Sequence, residues 1–282
     1  MNSNKFFSFS RFYRLLRNDI LLNHKKYLLT IVGAFILGFI LMYMYMPNRV
    51  YTDTIYKFDT SRYFNLFTMC LVGLGAFVGS AFSELSSKVK ISNYLLVPAS
   101  TFEKYLSQFV IRAVVGTAIF LLVFWIDAHL ARIAVLSRIE GLDGQLAGPE
   151  KYDYIEKFHY SMLLIKSRYP VVTNWRLFEG IGYILTLYSA GMFLFSVKIF
   201  FRKLGLIKTG ISLIAVVYLI MITMMCFSHL FYPETKGFDI ANIDYILSNG
   251  YKNSEILLYS IAYIAPLFLL PLGYFKLKEK QL

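Results

Sequence analysis

The chain has few charged residues and only two cysteines. Charged side chains make up 16% of its 282 residues and hydrophobic ones 57%, whereas soluble globular domains average about 25% charge. Cys70 and Cys226 both lie in apolar stretches, so they predict neither a disulfide framework nor a metal site. The composition favours a membrane protein without cysteine chemistry.

The sequence also lacks a phosphate-binding loop of the form G-x-x-x-x-G-K-[ST]. The stretch GLIKTG, Gly205–Gly210, does not have the spacing that would cradle phosphates. Asp127 and His129, near the outer end of the third span, are residue types that could bind a proton or a metal. They are two residues apart and lie on different helical faces, so we favour the alternative of a solvated helix end. The sequence therefore predicts that the chain is not an enzyme and binds no cofactor or metal directly.

Six apolar stretches are long enough to cross a bilayer, which takes roughly 20 residues as a helix. They predict an all-α, polytopic protein with a single membrane domain over residues 1–282. We find no cleavage site after the first stretch, so we expect it to remain in the mature chain. The predicted spans are 28–46, 63–82, 108–130, 177–200, 206–231 and 256–275.

Basic residues define the expected orientation, because Lys and Arg beside a span are retained on the cytoplasmic side. With the amino terminus inside, four short segments hold sixteen basic and four acidic residues and thus carry the whole net charge of +12. The basic residues flank spans instead of forming one patch, which argues against nucleic acid as a partner. Both termini are predicted to be cytoplasmic, in a multi-pass bacterial inner-membrane protein.

Residues 1–27 are predicted to form an interfacial helix on the membrane surface. A basic flank that only fixes the topology is the alternative. Apolar residues fall on one helical face and polar residues on the other: Phe9, Phe12, Tyr13, Leu16 and Ile20 against Arg11, Arg14 and Asn18.

The cytoplasmic link between the second and third spans, residues 83–107, contains the most specific pattern. Pro98 ends any helix formed by the preceding residues. Ser100 followed by Glu103 fits a capping box, so a new helix should start near Thr101. The apolar residues Tyr94, Leu95, Leu96 and Val97 precede that break on a segment too short to form a domain. Exposed apolar residues beside charges often mark a contact surface.

Three further predictions concern a helix face, an outer loop and one charged residue. Gly75 and Gly79 give the second span a small face that allows close helix approach, either within the chain or at a dimer seam. Residues 131–176 form a long outer loop in which Glu150–Tyr169 is predicted to be a helix. Arg112, near the start of the third span, is predicted either to reach the headgroups or to line a pathway.

The segment LLVPASTFEKYLSQFV, Leu95 to Val110, resembles the one that precedes the third span in ABC permeases of the type-2 exporter class. The form Glu103-Lys104-Tyr105-Leu106 is similar to permeases of Bacteroidetes. The layout of six spans, an amino-terminal interfacial helix and internal termini is similar as well. That family commonly has a basic residue at the place of Thr101 or Phe102, and a much shorter loop than 131–176.

The resemblance implies a coupling helix over 88–100 that sits in a groove of a separate ABC ATPase subunit, which binds the ATP. It also implies a second permease, identical or related, to complete the pathway. The alternative is a membrane scaffold or assembly factor that uses the basic cytoplasmic face to hold partners and transports nothing. The residues expected to contact the ATPase or to shape the coupling element are Lys88, Lys90, Tyr94, Leu95, Leu96, Pro98, Ser100 and Glu103.

Overall fold

The computed structural model describes residues 6–46, 60–82, 96–143, 155, 157–164, 175–201, 205–231 and 253–279. Within these ranges every regular element is a helix and there is no strand, which confirms the predicted all-α class. The helices are α1 (Phe9–Tyr45), α2 (Thr60–Gly79), α3 (Thr101–Phe109), α4 (Gly116–Asp143), α5 (Ser161–Leu164), α6 (Trp175–Val197), α7 (Gly205–Phe231) and α8 (Asn253–Glu279).

Shorter helical turns connect or extend two of these helices. The π-helical segment Val110–Val115 joins α3 to α4 without a break, and a 3-10 turn, Lys198–Phe200, follows α6. Helix α8 continues through Pro266 and Pro271. A helix therefore covers each of the six predicted spans, apart from one to three residues at the carboxyl ends of the first two.

Two helices of the described residues are long and apolar enough to cross a membrane, Phe9–Tyr45 and Thr101–Arg138. Only 11% and 17% of their most apolar windows are buried, whereas the core helix of a soluble protein is mostly buried. They point to membrane association. Shorter apolar helices lie at Tyr63–Gly79, Ile184–Phe200 and Ile207–Thr223.

Helix α1 differs from the sequence prediction because it does not break between the interfacial segment and the first span. It runs through 37 residues, about 55 Å at 1.5 Å per residue. Neither Pro nor Gly occurs between Phe9 and Val32, so nothing in the sequence interrupts the backbone hydrogen bonds there. The predicted interfacial helix and the predicted first span are two parts of one helix.

The predicted outer loop also needs correction, because its first residues continue α4 as far as Asp143. Ala131, Val135 and Leu136 are buried at helical spacing, which explains the extension. The described part of Glu150–Tyr169 is not one long helix: residues 157–159 are non-helical, and α5 has only four residues. The remaining residues of that prediction lie outside the described ranges.

The chain divides into two compact units. One, which we call the link unit, consists of Met1–Ser8, Gly75–Gln108 and Gly182–Leu282. The other, the α1 unit, consists of Phe9–Leu74 and Phe109–Ile181.

Aromatic rings form much of the core of the α1 unit. Phe158 packs against Tyr63, with 5.3 Å between ring centroids, and against Phe124 at 5.2 Å. Arg132 donates a hydrogen bond of 2.7 Å from Nε to the carbonyl of Ile155. Ile155, Phe158 and Leu163 of this segment are at most 2% exposed and therefore belong to the core of the α1 unit.

A second contact in the α1 unit lies where the π-helical segment faces α1. The guanidinium of Arg112 lies over the ring of Tyr27, 5.1 Å from its centroid. The hydroxyl of Tyr27 donates to the carboxylate of Asp19 at 2.8 Å, and Asn23 donates to the same carboxylate. Arg112 is thereby linked through an aromatic ring to an acidic residue of α1.

Candidate functional site

The carboxyl end of the link carries the predicted capping box. The backbone N–H of Ser100 donates to the Glu103 carboxylate at 2.8 Å, and the N–H of Glu103 donates to Ser100 Oγ at 3.1 Å. Helix α3 begins at Thr101, where the pattern placed it. Two backbone donors that a helix start leaves unsatisfied thus have side-chain partners.

Residues before α1 dock on the same helix start. The backbone N–H of Ser8 donates to Glu103 Oε1 at 2.6 Å, and the Ser100 hydroxyl donates to the carbonyl of Phe6 at 2.7 Å. Glu103 is fully buried, so both of its oxygens accept from backbone donors away from water. We call these four residues, Phe6, Ser8, Ser100 and Glu103, the amino-terminal lock.

Aromatic stacking reinforces the amino-terminal lock. The ring of Phe6 stacks on Phe102 with centroids 4.8 Å apart, and Phe7 meets Phe102 edge-on at 6.1 Å. Phe102 in turn contacts Tyr274 of α8 at 5.8 Å. Aromatic pairs in these arrangements stabilise by about 0.5–1.5 kcal/mol each beyond their buried area. The end of the link is therefore attached to the carboxyl-terminal helix.

Tyr105 extends this attachment into the core of the link unit. Its hydroxyl donates to the carbonyl of Leu270 at 2.8 Å. Its ring contacts Phe195 of α6 at 5.4 Å and Phe82, which follows α2, at 5.8 Å. A Cβ on Gly273 would lie 2.8 Å from the Tyr105 hydroxyl, so a larger residue at position 273 would require that hydroxyl to shift. Tyr105 thus contacts three other segments of the unit.

Glycines allow α2 and α6 to approach closely within the link unit. A Cβ built on Gly191 would lie 2.9 Å from the Cα of Gly75, and one on Gly79 would lie 2.6 Å from the Cβ of Leu194. Gly75 and Gly79, the small face noted in the sequence, therefore lie at a helix contact inside the chain. Lys198 also donates to the carbonyl of Ser80 at 2.9 Å, at the end of α2, where cations are favoured.

The chain takes an unusual backbone conformation just after α2. Phe82 has a φ of 55°, in the left-handed region that L residues with bulky side chains rarely adopt. Its side chain is 4% exposed and lies 5.2 Å from Phe195, measured between ring centroids. Burial of this ring between Tyr105 and Phe195 is what holds the strained backbone in place.

The apolar patch of the link is described only in part. Leu96 is 77% exposed, Pro98 is exposed and Val97 is half-buried. Lys88, Lys90, Tyr94 and Leu95 lie outside the described residues. Leu96 is thus an exposed leucine shortly before a helix start whose backbone donors are hydrogen-bonded.

The predicted interfacial residues on α1 are mostly exposed. Phe9 is 73% and Tyr13 59% exposed, whereas Phe12 is 9% exposed. Arg14 is exposed, and Arg11 and Leu16 are half-buried. Two large aromatic side chains of the predicted apolar face are therefore free to meet a membrane or a partner.

Two features of this region were not anticipated from the sequence. Lys104 is 2% exposed although it is charged and follows the buried Glu103. The docking of Phe6, Phe7 and Ser8 has no sequence signal that we can name, since a backbone N–H and a backbone carbonyl make its hydrogen bonds. The capping box indicated Glu103 as a local cap only.

The described residues contain no group of three or more His, Cys, Asp or Glu side chains that could hold a metal ion. Among the described residues, the region consists of the exposed Leu96 followed by a helix that is hydrogen-bonded and stacked on its neighbours. No protein family, curated protein or solved structure matches the chain.

Proposed function

We propose that the chain is the transmembrane permease subunit of an ATP-driven exporter of the ABC type-2 class, coupled to a separate ATPase through residues 88–100. One observation carries the proposal: the carboxyl end of the link is fixed to α3 and to the residues before α1 through Glu103, while Leu96 beside it is 77% exposed. A coupling element needs both a free face and a fixed base.

The proposed mechanism transmits force through named contacts. Closure of the ATPase dimer around ATP pushes on the link, and Pro98 and Ser100 pass the displacement to α3. Tyr105 passes it on to α6 and α8, through its contacts with Phe195 and Leu270. Interiors packed in this way transmit displacement because they are close-packed and compress little. The tilt of these helices would alternate access to the pathway.

The topology belongs to the same proposal. Six spans, cytoplasmic termini and an inner-membrane location follow from the six apolar stretches and the placement of basic residues. Large exposed apolar side chains on α7 and α8, among them Leu219 and Phe268, are compatible with lipid or a second permease around these helices.

Proposed contacts with the ATPase involve charge and apolar area together. Lys88 and Lys90 would meet acidic residues at the rim of a groove, and Tyr94, Leu95 and Leu96 would fill it. Apolar anchors at the centre with charges at the rim are typical of protein interfaces.

The test is co-purification with a carboxyl-terminal tag from the native host, in mild detergent, with mass spectrometry of what is recovered. The wild type is expected to bring an ATPase with a phosphate loop in stoichiometric amount. The variant Lys88→Glu, Lys90→Glu, Leu95→Asp should insert normally but lose at least tenfold of that ATPase. Charge reversal at the exposed Lys25 and Lys26 of α1 serves as the matched control.

Two outcomes would contradict the proposal. Unchanged recovery of the ATPase with the link variant removes residues 88–100 as the coupling element. Recovery of the wild type without any nucleotidase favours the second candidate, a scaffold or assembly factor. The length of the segment 131–176, beyond what a permease of this class needs, supports that candidate.

A further inference from the structure

A buried carboxyl group lies in the α1 unit, away from the link. Asp127 is on α4, within the helix Thr101–Arg138 that is long and apolar enough to cross a membrane, and it is 1% exposed. Its neighbours on the same helix, Phe124 and Ala128, are also buried. The prediction of a solvated helix end is therefore wrong for Asp127, because α4 continues past it for four more turns.

The Asp127 side chain contacts α1 where α1 has no side chain of its own. A Cβ built on Gly38 would lie 2.3 Å from Asp127 Oδ2, so the carboxyl group fills the space that any other residue at 38 would occupy. Gly33, five residues earlier on α1, has open space around its Cβ position. Of these two glycines of α1, Gly38 alone is in close contact with the Asp127 side chain.

Asp127 lacks the partners that a carboxylate needs. Within the described chain, Oδ1 has no hydrogen-bond donor, and no described side chain places a positive charge beside it. On α4, the ring of His129 hydrogen-bonds to the carbonyl of Trp125, and Arg132 donates to the carbonyl of Ile155.

The other described segments supply no positive charge to Asp127 either. Residues 31–42 of α1 include no ionisable group. The thiol of Cys70 on α2 interacts electrostatically with Asp127 but supplies no cation. Lys157 and His159 are exposed.

An ionised carboxylate in such surroundings is strongly unfavourable, and a buried group escapes the penalty by becoming neutral. We propose that Asp127 is a proton-binding site at the α1–α4 contact, occupied when the two helices are packed at Gly38 and vacated when they separate. The ligand is a proton, and the site is independent of ATP coupling. Ionisable residues inside membrane helices commonly belong to proton or ion pathways.

Infrared spectroscopy of the purified protein at neutral pH tests the proposal directly. A protonated carboxylic acid has a carbonyl band that a carboxylate does not have, and the band shifts in heavy water. We expect this band in the wild type and its loss in Asp127→Asn, which keeps the shape of the side chain. A wild type without a band assignable to Asp127 overturns the proposal.

A chemical probe provides a second readout that needs no variant to fold. The hydrophobic reagent dicyclohexylcarbodiimide reacts with protonated carboxyl groups: the acid proton moves to a carbodiimide nitrogen and the carboxyl oxygen bonds the central carbon. The acyl group then migrates to nitrogen and leaves a stable N-acylurea, with no leaving group. Peptide mass spectrometry should find the adduct on Asp127 at a pH where the exposed Glu279 is unmodified. Equal or absent modification of Asp127 contradicts the proposal.

Glycine variants test the link to helix packing. Gly38→Ala introduces a Cβ against Asp127 Oδ2, so the acid band should shift or decline and the extent of modification should change at least twofold. Gly33→Ala, the matched control, should reproduce the wild type. Identical spectra for both variants would show that the proton does not depend on the contact at Gly38.

Discussion

The carboxylate of Glu103 accepts a hydrogen bond of 2.6 Å from the backbone N–H of Ser8, a residue 95 positions earlier in the chain. The same side chain accepts from the N–H of Ser100 at 2.8 Å. One buried acidic residue therefore fixes both the entrance to α3 and the residues that precede α1.

Replacing Glu103 should destabilise the protein in two graded steps. Glu103→Ala leaves two backbone donors without their acceptor, and we expect a loss of roughly 3–6 kcal/mol, because bonds to charged groups contribute about 1.5–3 kcal/mol each. Glu103→Gln retains one acceptor oxygen and should lose about half as much. Thermal unfolding in detergent measures both losses.

Glu279→Ala provides the control, because it removes only a surface pair with Lys276 and should change stability by less than about 1 kcal/mol. Equal effects of the three variants would contradict the buried role of Glu103.

The two glycines that face each other between α2 and α6 should respond differently to alanine. A Cβ on Gly191 would lie 2.9 Å from the Cα of Gly75, which is backbone and cannot move cheaply, so Gly191→Ala should destabilise. A Cβ on Gly75 would lie 3.6 Å from the Cα of Gly191, an ordinary contact. Gly75→Ala should therefore be neutral or stabilising by up to about 1 kcal/mol, because alanine favours helix.

Gly73 provides the control for this pair, since its Cβ position is open. Gly73→Ala should report the helix propensity alone. The melting temperatures of the three variants check the prediction, and a Gly75→Ala variant as unstable as Gly191→Ala would refute it.

At position 82, a glycine variant should be at least as stable as an alanine variant, which is the reverse of the usual order of stability. Phe82→Ala removes a buried ring and should lose about 3–5 kcal/mol. Phe82→Gly removes the same ring but relieves the left-handed backbone, worth about 1–2 kcal/mol for an L residue. We therefore expect Phe82→Gly to be at least as stable as Phe82→Ala in denaturant or thermal unfolding. A less stable glycine variant would mean that the backbone at this position is not strained.

Two substitutions at Tyr27 should separate the stability contributed by its hydrogen bond from the stability contributed by its ring contact with Arg112. Tyr27→Phe keeps the ring under Arg112 and loses the bond to Asp19, so stability should fall by about 1 kcal/mol. Tyr27→Leu also removes the cation–π contact and should lose about 0.5–2 kcal/mol more. Thermal unfolding of the two variants gives the difference. If they unfold alike, the stacking of Arg112 contributes nothing measurable.

The sequence specified helices well but not where they end. Apolar length alone placed a helix at each predicted span, and Pro98, Ser100 and Glu103 located the start of α3. The sequence predicts that the third span ends near Leu130, because membrane thickness is the only criterion for the helix length that the sequence provides. The burial of Ala131 and Val135 against the rest of the unit extends it, and such tertiary packing is not visible in local composition.

The contacts that make the candidate site were mostly beyond sequence reasoning. The role of Ser8 depends on its backbone N–H, which every residue except proline possesses, so its identity carries no information. The contact between Gly38 and Asp127, which lies outside the candidate site, could not be predicted either, because no sequence pattern relates positions so far apart. Local motifs were recoverable, whereas long-range pairs needed the fold.

The hydrogen bond from Ser8 to Glu103 also sets an order of events during biosynthesis. Chains are synthesised at about 5–20 residues per second, so Ser8 waits roughly 5–20 s before its acceptor has been made. During that interval the residues before α1 are without their final partner. The amino-terminal lock therefore closes only after α1 and α2 have been synthesised, so neither helix can depend on it for its initial formation.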